Sequence, residues 1–291
     1  VVQPRYSLLV AANANGASAG SERWENGVKW TPEACAGGGL SPAWCGVSPE
    51  RNPPAQPGQA IADPFYVFSA DQCSASGFAA RDWEGRARRA LEATQSFQVA
   101  RELWTGVHTL AELAASRTDQ ASPFLADTSR VVDTNMPAHA AIGAIEQLAM
   151  ACSQGRRLMI HVPIVVLEAA TVNGYVLRDT GGVLTTAMGN IVVADAGYPG
   201  TGPTGPAGNR TPDNTTMWIY ATSIVQVRLS AVETLPQSLA DAHGMAEALD
   251  RPRNHIVVWA QRLALYQLDP CCRIALSTDV PALPPIQTVT S

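Results

Sequence analysis

Ser238, Asp241 and His243 are a nucleophile, an acid and a base by type, the constellation of acyl transfer. Their offsets of three and five residues on one short helix cannot aim the imidazole at the hydroxyl, so they read as a solvated helix face. Cys152 could act as the thiolate nucleophile of an α+β enzyme if a histidine lowered its pKa. Cys271 and Cys272, adjacent after Pro270, raise a metal or redox site. Neighbours on a strand point to opposite faces and do not readily share a tetrahedral ion, so both read as small buried apolar residues. His161 lies in a wholly apolar stretch and reads as a hydrogen-bonded core histidine. Arg81, Arg86, Arg88 and Arg89 could meet phosphates, yet the acids between them make a salt-bridged helix surface the better reading. The glycine runs lack GxxxxGK[ST], and neither GxSxG nor HExxH occurs. No catalytic residue, metal site or cofactor is expected.

The composition points away from nucleic-acid readers and membrane proteins. The 291 residues carry a net charge of −5, whereas duplex binding depends on basic side chains neutralising phosphates. No apolar run is long enough to span a bilayer, and the N-terminus lacks a signal-peptide pattern, so a cytosolic product is expected. Six cysteines are too few for a disulfide scaffold of this length, and free thiols are expected, with Cys35 and Cys45 the one pair placed to bridge a hairpin. The chain is 46% hydrophobic but only 15% charged. Average soluble domains carry about 25% charged residues, so much of this surface is expected to be covered by other chains.

The element that would organise such a chain is one long helix over Phe78–Trp104. It is free of proline, laced with charges four residues apart, and bounded by Ser76 as a cap and Gly106 as the stop. Trp83, Ala87, Ala90, Leu91, Thr94 and Phe97 form its expected buried stripe. Before it, 1–23 reads as an extended arm. Trp24–Trp30 and Phe65–Phe68 read as the two strands of a long excursion rich in proline and glycine, with no core of its own. After it, 107–132 reads as short strands and turns, and Pro137–Gln154 as a second helix. Leu158–Leu167 reads as a strand covered on both faces, with Pro163 at a bulge or edge. Asn190–Ala194 reads as a short strand, Gly197–Asn214 as a loop, and Met217–Leu229 as an alternating strand. A helical piece over Ser238–Leu249 follows, then a closing strand pair at His255–Tyr266 and Arg273–Thr278. The order is mixed α+β.

In this order of elements, and in the texture of ARRALEATQSFQVARELWTG (87–106), GNIVVADAGYPG (189–200) and DRPRNHIVVWAQRLALYQLDPCC (250–272), the chain resembles the major capsid proteins of tailed bacteriophages. Their shell fold is shared with encapsulins, and the versions from phages of high-GC actinobacteria are the most similar in texture. The resemblance covers essentially the whole chain. It implies an N-terminal arm (1–23), an extended loop (24–77), a peripheral domain with a spine helix (78–134 and 250–291) and an axial domain (135–249). It also implies a structural protein, not an enzyme, that assembles as hexamers and pentamers into an icosahedral head. Scaffolding and portal proteins would act during assembly in the bacterial cytoplasm, decoration proteins could bind outside, and the head would enclose double-stranded DNA without sequence specificity. Some relatives weld their shells through a lysine–asparagine bond from the extended loop. Lys29 is the single lysine and so the only donor available. No acid in an apolar pocket can be assigned beside it, and Lys29 reads as a solvated strand residue. An encapsulin-like compartment for protein cargo and the Cys152-dependent enzyme are the alternatives.

Overall fold

The computed structural model describes residues 7–14, 23–32, 58–74, 82–115, 122–127, 130–172, 174, 176–178, 183–205, 208–209, 216–236, 248–253 and 255–280. Its elements in chain order begin with helix α1 (Leu8–Ala14), a 3-10 turn (Trp24–Asn26), and strands β1 (Val28–Trp30), β2 (Ala60–Ala62) and β3 (Phe65–Ser74). Helices α2 (Trp83–Thr105) and α3 (Val107–Ala114) follow, then β4 (Arg130–Pro137), α4 (Ala138–Ser153), β5 (Met159–Val162) and α5 (Ile164–Val172). The remaining described elements are strands: β6 (Val176–Arg178), β7 (Leu184–Thr186), β8 (Ile191–Ala194), β9 (Thr204–Gly205), β10 (Gly208–Asn209), β11 (Thr216–Thr222), β12 (Gln226–Leu229), β13 (Glu233–Leu235), β14 (Leu249–Asp250), β15 (His255–Gln267) and β16 (Ile274–Asp279).

Two sheets sandwich the long helix. The seven-stranded sheet runs β4-β16-β11-β5-β8-β7-β6. Its central strands β11, β5 and β8 are buried on both parities because both faces are covered. Ile160, Val162, Ile219, Ala221 and Leu276 face a core shared with α4 and α5, while Met159, Ile191, Val193, Trp218 and Tyr220 face the core shared with α2. The five-stranded sheet is built on β15, which pairs β3 over ten residues and also β12, β13 and β14. Phe65 and Val67 from β3, and Ile256, Val258 and Ala260 from β15, close the α2 core from the opposite side.

Helix α2 begins five residues later than the sequence pattern suggests; 75–81, with Ser76 and Phe78, lie outside the described residues. The cap is Asp82, whose Oδ1 accepts from the Gly85 amide at 2.9 Å. Gly106 ends the helix in the left-handed region at φ +60°, where a Cβ would also strike the Phe124 ring. The helix does not give way to strands there. It turns directly into α3, whose second and third amides donate to the buried Glu102 carboxylate at 2.8 and 3.0 Å. Helix α4 falls where the sequence places it, with Pro137 before its first residue and Gln154 in the left-handed region at its end.

Several expectations are corrected. The first, the extended arm over 1–23, contains α1, with Leu8, Leu9, Ala11 and Ala12 buried in the α2 core. Apolar residues at three- and four-residue spacing bury a helix face more completely than an extended arm would. The extended loop does not reach 77, because β3 is an integral strand of the five-stranded sheet. The partner of β1 is instead β2, in the register Val28 to Ala62, Lys29 to Ile61 and Trp30 to Ala60. The base of this hairpin has a small core of its own, with Val28 and Ala62 packed on Leu265 of β15. Residues 33–57, with Cys35 and Cys45, lie outside the described residues.

Leu158–Leu167 is not one strand. Pro163 has no N–H to donate to a ladder, and its carbonyl accepts from Val166 and Leu167 to open α5 instead. Met217–Leu229 breaks at 223–225 into β11 and β12, which belong to different sheets. Likewise β15 and β16 do not pair; β16 lies between β4 and β11 in the larger sheet. Boundaries at 134 and 250 therefore do not separate the sheets: β4 and β16 join the larger sheet, and β12 and β13 the smaller. The helical piece over Ser238–Leu249, with Ser238, Asp241 and His243, lies outside the described residues through position 247.

The expectation of free thiols fails at Cys152 and Cys272, which form a disulfide with a Cα–Cα separation of 5.4 Å. Cys271 is disulfide-bonded as well. Neither residue of the Cys271-Cys272 pair lies on a strand, and Cys272 takes φ +58° in the turn after β15. The Cys152–Cys272 bond ties the end of α4 to that turn across 120 residues of sequence, restricting the unfolded chain over a long loop. Cys272→Ser is expected to lower stability by about 2–4 kcal/mol. The midpoint of urea unfolding of this variant against wild type, both without reductant so that the bond at Cys271 stays closed, measures it; identical midpoints would show that the Cys152–Cys272 bond carries no stability.

Candidate assembly surface and the hub behind it

Beneath the surface, the turn after β8 joins the seven-stranded sheet to α1 and α2. Asp195 is buried, and its carboxylate accepts from three elements: the Leu8 amide of α1 at 3.2 Å, the Ser96 hydroxyl of α2 at 2.8 Å, and the Gly197 amide at 3.0 Å. Gly197 is required because a Cβ there would stand 2.3 Å from the Phe97 carbonyl oxygen. Next along, Tyr198 packs on the fully buried Trp104, their rings 4.9 Å apart, and Trp104 meets Tyr220 edge-on at 4.8 Å. The Trp104 indole N–H donates to Thr201, 3.1 Å to its carbonyl and 3.0 Å to its hydroxyl oxygen. Asn190 seats the start of the same segment, accepting from the Leu158 amide at 2.9 Å and donating to Glu146 at 2.6 Å. The stretch 189–200 is thus the clasp of the fold.

His161 sits against this clasp, fully buried, with Nδ1 2.8 Å from the Tyr198 hydroxyl and Nε2 3.1 Å from the Thr222 hydroxyl. The Thr222 hydroxyl donates its one hydrogen to the Ser223 carbonyl at 2.7 Å, so towards His161 it accepts. That assigns the proton to Nε2 and leaves Nδ1 to accept from Tyr198. Burial lowers the imidazole pKa to about 3, and burial followed by the nearby Asp195 charge raises that of Tyr198, so both side chains are neutral. As the sequence suggests, His161 is a hydrogen-bonded core residue.

Among the described residues, the other candidates do not converge. With its sulfur in a disulfide, Cys152 has no thiolate to offer, which removes the cysteine-nucleophile reading at that residue. Lys29 is an exposed residue at the centre of β1. On α2, Arg86 pairs with Asp71 of β3 and Arg89 with Asp82 at 3.4 Å, rather than with acids four residues along the helix. Arg81 lies outside the described residues.

The surface itself is the outer face of the five-stranded sheet. Register sets Phe68 opposite Gln261, Tyr66 opposite Leu263, and Leu235 of β13 opposite Trp259, all pointing away from α2. Tyr66, Phe68 and Trp259 are 56%, 53% and 42% exposed, and the Phe68 and Trp259 rings meet edge-on at 5.7 Å. Large aromatic side chains grouped this way mark an interaction face. At the sheet edge, the Gln98 side chain of α2 bonds both the Phe68 amide, at 3.2 Å, and its carbonyl, at 3.0 Å, which blocks strand addition there. The sequence reading missed this face, although its signal was present: in Phe65-Tyr66-Val67-Phe68 large residues occupy both parities, so both sides of the strand need a partner.

Neither a protein-family model nor a curated protein matches the sequence. Solved structures do. A chain of Mycobacterium phage Ogopogo superposes with a TM-score of 0.55 at 13% identity, covering 96% of this chain and 94% of that one. The capsid of Ralstonia phage GP4 gives 0.51 at 10% identity, over 90% and 85% of the two chains. By this overall superposition the chain has the phage capsid fold.

Proposed function

We propose that this chain is a major capsid protein that assembles with copies of itself, as hexamers and pentamers, into an icosahedral phage head around double-stranded DNA. The observation that carries this reading is coverage: the likeness to a phage structure runs through more than nine-tenths of both chains, not through one shared motif. The likeness to a phage capsid structure supports a structural role for the chain. Scaffolding and portal proteins act in assembly inside the bacterial host, and decoration proteins are optional partners of the finished virion. The seven-stranded sheet with α4 and α5 serves as the axial part. The five-stranded sheet with α2 and α3 is the peripheral part, from which the β1–β2 hairpin carries the extended loop. Lys29 is a solvated strand residue of that hairpin and not a cross-link donor.

The outer face of the five-stranded sheet supplies part of the contact between copies. Phe68→Glu combined with Trp259→Glu should leave the fold intact, since both side chains point outwards, and should raise the concentration needed for assembly by about tenfold or more. Sedimentation of assembled particles against subunit concentration measures it. Unchanged assembly would remove this face from the contact.

A further inference from the structure

A cleft of about 440 Å³ opens where the base of the β1–β2 hairpin, the end of α4 and the strands β12 and β15 meet. Its walls carry Arg156, Arg157 and Arg228 against one acid, Asp269, whose carboxylate already accepts from the Cys271 amide at 2.9 Å. Gln226 and Arg228 lie on one face of β12, and Gln267 is the cross-strand neighbour of Gln226, so three polar side chains share one strip of sheet. Arg157 is partly engaged, with Nε donating to the Gly189 carbonyl at 2.8 Å. Arg228 is different. Its Nε and Nη1 are both buried and have no hydrogen-bond partner, and the same is true of the Ser223 hydroxyl on the cleft wall.

Buried donors without acceptors are costly, and a guanidinium forms strong charge-assisted hydrogen bonds to an oxyanion. The cleft thus supplies charge, donors and room for a group with two acceptor oxygens. Its concavity suits a single side chain rather than a duplex. The rest of the molecule supplies the complement: 25 acidic residues against 20 basic ones leave the chain at −5. We propose that this cleft receives an acidic side chain of a second copy of the chain, bound by Arg228 and Ser223 and flanked by Arg156 and Arg157. The proposal rests on the shell reading. It makes the contact heterologous, cleft to acid, which is the type that closes into rings.

The test compares wild-type protein with Arg228→Gln and Gln267→Glu, the second of which puts a carboxylate inside the cleft. Unassembled Arg228→Gln should unfold at a temperature similar to wild type, because Arg228 has no internal partner at Nε or Nη1 to lose, and Gln267→Glu should unfold no lower, because its carboxylate meets donors that had no acceptor. Each variant should require about tenfold more protein to assemble, the scale expected for loss of a buried charge-assisted contact. Inorganic phosphate, at ionic strength matched with chloride, should inhibit wild-type assembly and have little effect on the variants. Variants that assemble at the wild-type concentration, or phosphate acting equally on all three, would overturn the cleft contact and leave the shell reading standing. A wild-type protein that never assembles overturns both. Normal assembly of Arg228→Gln with loss of enclosed DNA would overturn the second-copy occupant in favour of nucleic acid.

Discussion

Asp195→Ala is expected to destabilise the subunit by about 3–5 kcal/mol, because it leaves three buried donors without an acceptor. Those donors belong to α1, α2 and the turn after β8, so the loss is not local: the N-terminal helix should detach and the clasp should loosen from α2. Asp195→Asn should fall between wild type and alanine, since one oxygen still accepts while the amide nitrogen faces a donor. Urea unfolding of unassembled subunits gives the values. A change below about 1 kcal/mol for the alanine variant would mean that the clasp is not what joins these elements.

Acid should unfold the protein through His161. The folded imidazole has a pKa of about 3, against 6.5 for the unfolded chain. Between those values the unfolded state binds the extra proton, so stability rises with pH across the window. The contribution is complete above about pH 6.5 and is lost as pH falls towards 3, on the order of 5 kcal/mol in total. Carboxylates also contribute to acid unfolding, and His161→Gln separates the two. Glutamine can accept from Tyr198 and donate to Thr222 but does not titrate, so its stability should fall less steeply between pH 6.5 and 3. Parallel curves for the two proteins would contradict the buried neutral histidine.

What the sequence revealed of the fold follows the range over which each signal acts. Helix α2 was legible because its main determinants are local: no proline, charges on one side, and a glycine at the stop; its cap was not, since Ser76 was read in place of Asp82. Its buried stripe was legible only through Trp83, Ala87 and Leu91. Beyond Leu91 the stripe runs through Gln95, Ser96, Val99 and Ala100, while Thr94 and Phe97 are exposed. The helix lies between two sheets there, and polar residues are buried because distant partners meet them: Asp195 for Ser96, and Arg262 for Gln95 at 3.1 Å. Strand existence was legible from alternation, but sheet membership was not. Between Met217 and Leu229 the alternation continues while the chain crosses from one sheet to the other. The Cys152–Cys272 bond, closed over 120 residues, leaves no local trace at all. The candidate surface was half visible, since Phe65–Phe68 was read as a strand while its outward-facing aromatic side chains were not recognised as needing cover.

Electron microscopy of the purified protein across a range of concentrations tests the central claim most directly. Rings of five or six subunits, or closed shells, are expected, with nucleic acid inside particles recovered from an infected host. A single species at the 30.7 kDa chain mass at every concentration, or particles filled with protein cargo, would contradict the assignment as the wall of a phage head.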